Sequence, residues 1–238
     1  MPSPLTLYFA PQTCARVSLT ALAEIGQPFD TRLIAFMAGE HRQPAYLQLN
    51  PSGKVPALVT GSGVVTQTGA ILGFLAQAYP EAGLLPVRRD PVSQAQVTSW
   101  LFRCSADLHP LVTRFVLPAM ITAQPQDAAP IREKAAEMLA AQLQPIDHSL
   151  GRTEWVLEEG WSMIDAYLAW IWFRITGAGF DPARFPHIER HYRAAGERPS
   201  ALAALAIEDE AQAELKGRGL FFSPPTSSQP TVSDQGTA

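Results

Sequence analysis

Patterns typical of β-strands are confined to the first part of this 238-residue chain. Apolar segments at residues 4–9, 29–36, 55–59 and 64–65 are typical of strands, and helical spacing of apolar residues lies between and after them. The resulting order, βαβαββα, predicts a small sheet covered by helices. After residue 92 the apolar residues follow helical spacing alone. We therefore expect an α+β domain followed by an all-α domain.

The domain boundaries follow from local composition. A segment that begins PEAG interrupts the patterns after the first domain, and the last residues are rich in Ser, Pro, Thr and Gly. Pro110 and Pro145 fall inside helical patterns and predict kinks. The predicted domains are residues 1–82 and 92–216, with a linker at 83–91 and a disordered tail at 217–238.

Composition narrows the range of functions. The net charge is −4 and the 18 Lys and Arg residues are scattered, so neither nucleic acid nor an acidic membrane is an expected partner. No basic, apolar leader opens the sequence, and no apolar stretch is long enough to span a bilayer. Two cysteines in a chain of this length form no disulfide framework. These observations favour a cytoplasmic protein.

The segment around Val55 and Pro56 suggests a binding site for a peptide. Residues 50–53, NPSG, are typical of a turn, and the buried strand that follows has Pro56 at its first position. If the Val55–Pro56 bond is cis, the backbone N–H and C=O of Val55 point outward and can pair with a bound peptide backbone. The alternative is a trans proline that enters an edge strand.

Gln67 and Thr68 follow the last short strand and open a helix with apolar residues at Ile71, Leu72 and Leu75. A helix N-terminus offers free N–H groups and positive potential to a carboxylate, and the Thr68 hydroxyl adds a donor. Taken alone, the segment Thr66-Gln67-Thr68 is better explained as a simple helix cap. Together with the Val55 segment, this helix start predicts a site for a peptide-like thiol, for which glutathione is the natural candidate.

Cys14 opens the predicted helix at residues 14–25. The helix dipole and unpaired N–H groups there favour a thiolate, so we expect the pKa of Cys14 to fall from about 8.5 toward neutrality. The alternative is a small buried helix residue. Cys104 lies among Trp100 and Leu108 and is interpreted as a core thiol.

Residues 162–165, SMID, predict a capping box in which Ser162 and Asp165 satisfy each other's backbone N–H groups. Asp165 is therefore expected to determine the fold rather than the chemistry. His187 and His191 have a spacing that suits a metal ion, but no third ligand is evident, and we expect no metal.

Over residues 4–215 the chain resembles the cytosolic glutathione transferase superfamily, and most of all its bacterial beta class. The resemblance rests on four segments in addition to the glutathione-site motifs. These segments are LYFAPQTC at residues 7–14, WLFRCSADLH at 100–109, WSMIDAY at 161–167 and ERPS at 197–200.

The resemblance implies a thioredoxin-like first domain and a homodimer. Cys14 occupies the place of the catalytic cysteine of the beta class. Thr13 and Tyr8 are alternative donors to the glutathione sulfur. His109 and Asp107 match a histidine and an acidic residue that line the glutathione site, and the acidic residue is expected to reach the glutathione ammonium of a neighbouring subunit.

Two positions depart from the family pattern. Gln67 stands where a carboxylate normally faces the γ-glutamyl ammonium, which implies weaker glutathione binding. Phe102 replaces an asparagine, which makes this side of the site more apolar and favours an aromatic or bulky co-substrate.

The predicted function is attack of the glutathione thiolate on an electrophile, with glutathione as co-substrate. One alternative uses Cys14 for thiol–disulfide exchange or removal of glutathione from a conjugate, and ether cleavage or dehalogenation requires only the activated thiolate. Another alternative is a non-catalytic binding protein with the same fold. The predicted catalytic residues are Cys14, Thr13 and His109, and the predicted glutathione-binding residues are Val55, Pro56, Gln67, Thr68 and Asp107.

Overall fold

The computed structural model describes residues 5–220. Its first part contains a four-stranded sheet with the order β2-β1-β3-β4, in which β1 is parallel to β2 and antiparallel to β3. A short hairpin joins β3 to β4. The predicted order βαβαββα and the sheet covered by helices are confirmed. The strands are β1 Leu5–Phe9, β2 Phe29–Leu33, β3 Ala57–Thr60 and β4 Gly63–Thr66.

The helices of this first part bury their apolar residues against the sheet and each other. Leu7 and Leu58 of the central strands are fully buried together with Ile71 and Leu72 of the third helix. The first helix ends at Gly26, whose φ of 70° is favourable for glycine. The helices are α1 Ala15–Ile25, α2 Pro44–Leu49 and α3 Thr68–Ala78.

The second part of the described chain is helical, as predicted. One helical run forms α4, a π-helical segment Arg103–Leu108, and α5. The His109 N–H donates to the carbonyl of Cys104, five residues back, in place of the α-helical partner. The expected disturbance near Pro110 is therefore a widened turn just before His109. The helices are α4 Pro91–Phe102, α5 His109–Val116, α6 Ala128–Leu150, α7 Met163–Thr176, α8 Pro186–Gly196 and α9 Pro199–Gly217.

The predicted capping box at the start of α7 is confirmed. Ser162 Oγ accepts from the Ile164 N–H at 3.3 Å, and Asp165 Oδ2 accepts from the Ser162 N–H at 2.9 Å. The other oxygen of the buried Asp165 accepts from the Val156 N–H at 2.8 Å and lies 2.9 Å from Nε2 of His191. His191 and Asp165 thus hold α8 against the start of α7.

The backbone N–H of His187 donates to Asp147 Oδ1 at 2.9 Å. Within residues 5–220 there is no cluster of three or more His, Cys, Asp or Glu side chains suited to a metal ion. No helix in the same range has the length and apolar character needed to cross a membrane. The domain boundaries remain predictions. The predicted tail begins at residue 217, which is still the last residue of α9, and the part of this tail from 221 onward lies outside the described residues.

Candidate functional site

Cys14 and Val55 lie side by side near the ends of the two central strands, since Cys14 follows β1 and Val55 precedes β3. Cys14 is the N-cap residue of α1 and is only 8% exposed, and its Sγ lies 3.8 Å from the carbonyl oxygen of Val55. The Val55–Pro56 bond is cis, as the peptide-site hypothesis requires. Among the described residues, no hydrogen bond uses the Val55 N–H. The chain therefore presents a backbone donor and acceptor beside a thiol.

The predicted decrease in the pKa of Cys14 is wrong for the protein alone. Burial raises the pKa of Cys14 to about 11, although the Thr68 side chain and the charge of Lys54 act in the opposite direction. Desolvation of the thiolate outweighs the favourable helix terminus. Cys14 is consequently a neutral thiol at pH 7.

Gln67 and Thr68 stand at the start of α3, where the sequence places them. Thr68 is 5% exposed, whereas the Gln67 side chain lies in solvent. Gln67 has a φ of 72°, and Gln12, with 63°, is the other non-glycine residue at positive φ in residues 5–220. Strained backbone of this kind concentrates at functional sites. Gln12 lies two positions before Cys14, and Gln67 directly precedes Thr68, whose side chain acts on the Cys14 thiol.

Thr13 and Tyr8 are less well placed as donors. Thr13 Oγ1 donates to the Ala10 carbonyl at 2.7 Å and accepts from the Ala15 N–H at 3.3 Å, so its proton is already engaged. The Tyr8 ring packs 6.0 Å from that of Tyr46. Both side chains have structural partners in the protein without ligand.

His109 lies at the junction of the two parts. Its Nδ1 lies 3.0 Å from the Tyr167 hydroxyl, and its ring meets Trp170 edge-on at 4.6 Å. Burial lowers the pKa of His109 to about 4, and the charges of Lys54 and Arg174 add to the decrease. His109 is therefore a neutral imidazole at pH 7.

Tyr167 connects His109 with the thiol region. Burial raises the pKa of Tyr167, the proximity of Cys14 adds to this increase, and the Thr68 side chain opposes it. A phenol that keeps its proton remains a hydrogen-bond donor. The structure thus brings Cys14, Thr68 and His109 together around Tyr167.

Asp107 does not join this group within one chain. Its side chain is exposed on the π-helical segment and forms no hydrogen bond with the described residues. The Phe102 side chain is also exposed, by 64%, on α4. Neither residue contributes to the site formed by a single protomer.

Several residues of this region were not predicted from the sequence. Lys54 precedes Val55 directly, and its position could have indicated a charge at the site. Tyr167 lies two residues after the capping Asp165, within a helix expected only to be buried. No local signal links Gln12 to Glu208, which are 196 positions apart and share a hydrogen bond.

An open cleft lies elsewhere on the helical part. Its volume is about 660 Å³, and it shares no residue with the region around Cys14. The cleft is lined by Trp100, Arg103, Gln144, Pro145, His148, Ser149 and Arg152.

The fold and the site define a class of two-part proteins in which a thioredoxin-like sheet with a cis-proline precedes an all-helical region. The model of the glutathione S-transferase N-terminal domain matches residues 3–77. Glutathione S-transferase 3 of Zea mays is 33% identical over 211 residues, which are 83% of this chain and 91% of the relative. The chain belongs to the glutathione S-transferase family.

Two solved structures extend the comparison. A glutathione transferase homologue from Sulfitobacter with bound glutathione is 29% identical, has a TM-score of 0.76, and is matched over 87% of this chain and 98% of its own. The beta-class glutathione S-transferase of Sphingomonas chungbukensis is 27% identical, with a TM-score of 0.74 and coverage of 85% and 98%. The resemblance to this superfamily is confirmed.

Proposed function

We propose that the protein binds glutathione and transfers it to an electrophile. The observation that carries this proposal is the free Val55 N–H and its neighbouring carbonyl, which lie beside Cys14 at the start of α1. Family membership and the glutathione in the Sulfitobacter homologue support the same ligand.

Glutathione offers groups that match those of the site. Its cysteinyl backbone pairs with the N–H and C=O of Val55 in antiparallel fashion. One carboxylate lies at the N-terminus of α3, against the backbone of Gln67 and the hydroxyl of Thr68. Lys54, whose charge acts on both Cys14 and His109, attracts the second carboxylate. Pro56 keeps the Val55 carbonyl next to the incoming peptide.

Cys14 acts as a donor in this proposal. In the protein alone its S–H points to the Val55 carbonyl. When the glutathione amide takes that carbonyl, the S–H turns to the glutathione sulfur and stabilises its negative charge. A protonated Cys14 is consistent with its raised pKa. Thr13 is a further donor once its bond to Ala10 opens.

His109 is the second hydrogen-bond donor proposed for the glutathione sulfur. When Tyr167 donates to Nδ1, the imidazole carries its proton on Nε2 and remains a donor at neutral pH. The glutathione thiol releases its proton to solvent. Its sulfur then forms a bond to carbon, and the leaving group departs with the electrons of the broken bond. For an aryl halide the products are the thioether and halide.

A second function uses the sulfur of Cys14 as the nucleophile. Its thiolate attacks a glutathione disulfide, forms a mixed disulfide and expels the other thiol as thiolate. The position of Cys14 beside Val55 allows this step, but a pKa of about 11 leaves little thiolate at pH 7.

Ether cleavage and dehalogenation need the glutathione thiolate alone. A non-catalytic binding protein would show none of these reactions.

The assembly in this proposal is a cytoplasmic homodimer. Large apolar side chains are exposed on elements of both parts of the chain, including Val64 on β4, Phe102 on α4 and Met138 on α6. A second subunit would cover such surfaces. It would also place the exposed Asp107 where it can meet the glutathione ammonium of the partner.

Calorimetry and an activity panel test the function. Wild-type protein should bind glutathione, and it should convert an aryl halide faster than a disulfide or an aryl ether. Binding without turnover of any electrophile would favour the non-catalytic alternative. Absence of binding at millimolar glutathione would refute the proposed function.

A further inference from the structure

Gln12 is held by the helical part of the chain through its backbone and side chain. Its N–H donates to Glu208 Oε1 at 3.0 Å, and its carbonyl accepts from Trp170 Nε1 at 3.2 Å. Its side-chain oxygen accepts from Arg174 at 3.1 Å, and its side-chain nitrogen donates to Gln212 Oε1 at 2.9 Å. α7 and α9 therefore restrain the loop at residues 10–14 from several directions.

Glu208 is the charged centre of this arrangement. Its side chain is 0% exposed, and its Oε2 accepts from Arg16 Nε at 2.9 Å and Nη2 at 2.5 Å. The Arg16 guanidinium also covers the Phe173 ring at 3.9 Å. One carboxylate thus holds the loop through Gln12 and the first turn of α1 through Arg16. Cys14 lies between these two attachment points.

The backbone of Gln12 needs such support. Its φ of 63° lies in the left-handed region, which is unfavourable for residues other than glycine, and surrounding bonds must maintain it. The same Trp170 that binds the Gln12 carbonyl also contacts the His109 ring. The network therefore connects the loop at residues 10–14 with His109 on the helical side of the thiol site.

We propose that Glu208 is a positioning residue of the thiol site, which fixes Cys14 relative to Val55 by holding Gln12 and Arg16. This inference rests on the proposed function, because the position of Cys14 matters only if glutathione binds beside it. Glu208 lies on α9, in the second part of the chain, so the helical part would control the geometry of the first.

A matched control exists at the other end of α1. Glu24 and Arg198 form an ion pair of 2.8 Å that also joins α1 to the beginning of α9. This pair lies away from the loop at residues 10–14. Loss of either pair should reduce stability, but only loss of the Glu208 contacts should affect glutathione chemistry.

The test compares Glu208→Gln with Glu24→Gln in the full chain. Hydrogen exchange of residues 10–16 should accelerate about tenfold in Glu208→Gln, since a local opening becomes easier. With an aryl halide, kcat should fall and KM for glutathione should rise, each by about five- to tenfold, because a misplaced donor weakens both binding and reaction. Glu24→Gln should leave exchange in this segment and both constants unchanged.

A double variant keeps the test decisive if Glu208→Gln does not fold. In Arg16→Met with Glu208→Met, apolar side chains of similar length replace the buried pair, a change that is often tolerated. The Gln12 N–H then lacks its acceptor, so the same losses should appear.

Unchanged hydrogen exchange of residues 10–16 in both Glu208→Gln and the double variant would overturn the proposal. Faster exchange with unaltered kcat and KM would overturn it as well. Calorimetry on wild-type protein separates a failure of the proposed function from a failure of the positioning role of Glu208. If wild type does not bind glutathione, the proposed function fails and the positioning role falls with it. If wild type binds and reacts but Glu208→Gln behaves like Glu24→Gln, only the positioning role is refuted.

Discussion

The Sγ of Cys14 lies 3.8 Å from the carbonyl oxygen of Val55, the same oxygen that the Val55–Pro56 segment is predicted to offer to the glutathione backbone. In the absence of ligand, the Val55 carbonyl oxygen therefore accepts a hydrogen bond from the Cys14 thiol. Glutathione binding should release the S–H for a new partner. This change of hydrogen-bond partner links the binding of glutathione to the activation of its sulfur.

Alkylation should reveal the protonated state of Cys14. Without glutathione, the reaction of Cys14 with iodoacetamide should be very slow at pH 7 and should rise about tenfold per pH unit toward pH 11, because only the thiolate reacts. Mass spectrometry of the peptide that contains Cys14 measures the rate. Rapid alkylation at pH 7 would contradict the neutral thiol.

Cys14→Ala should separate the two enzymatic functions. Conjugation of an aryl halide should fall about 10- to 100-fold, the range expected for one lost hydrogen bond to a charged sulfur. Disulfide exchange should disappear, because a nucleophile has no substitute. Initial rates on both substrates provide the measurement.

Cys104→Ala is the control for this pair of assays. Cys104 is a buried core thiol, and burial raises its pKa to about 12. Its replacement should lower stability but leave both rates intact. Loss of both activities in Cys14→Ala, with a glutathione adduct on wild-type Cys14, would instead support covalent catalysis.

The sequence predicted those parts of the site that depend on neighbouring residues. The turn before Val55, the start of α3 at Thr68 and the capping box at Ser162 each lie within a few positions of the residues that determine them. Hydrogen bonds over such short separations follow from the residue types and the local backbone geometry. The fold class followed equally from apolar spacing.

The electrostatic state of the site could not be predicted in this way. The position of Cys14 at a helix terminus predicts a lower pKa, yet burial raises the pKa of this thiol. That burial comes from tertiary packing in a core that includes Tyr167 of the helical part. Likewise, the contact between Gln12 and Glu208 spans 196 positions and has no sequence motif. Desolvation is a property of the assembled core.

Thr68→Val should weaken glutathione binding without disrupting the fold, since the two side chains have nearly the same shape. The Kd should rise about five- to tenfold, which corresponds to one lost hydrogen bond to a carboxylate. Isothermal calorimetry measures this change. Thr66→Val, two residues earlier at the end of β4, should leave the Kd unchanged. Equal affinities for wild type and Thr68→Val would remove the hydroxyl from the proposed site.

Phe102→Glu should weaken the proposed dimer. Light scattering of wild type at micromolar concentration should give twice the 25.8 kDa of one chain. A carboxylate in place of the exposed Phe102 would lose its water on association and should shift the mass toward that of one chain. Leu202→Glu, a similar change at an exposed position of α9, is the control and should remain dimeric. A monomeric wild type would exclude any role of Asp107 across an interface.

The pH dependence of stability should carry a contribution from His109. Its folded pKa of about 4 lies below the ordinary 6.5, so between these values the unfolded chain binds a proton that the folded chain rejects. The stability from a neutral His109 is therefore complete above pH 6.5 and is lost as the pH falls toward 4. His109→Asn, whose amide can still meet Tyr167, lacks this titration.

Urea unfolding at pH 7.5 and at pH 4.5 measures the effect. Wild type should lose more free energy of unfolding than His109→Asn between the two conditions, because the variant has one fewer group that gains a proton on unfolding. Identical losses in wild type and His109→Asn would show that the imidazole is accessible to protons in the folded state. His109 would then be an accessible base near the glutathione sulfur rather than a fixed neutral donor.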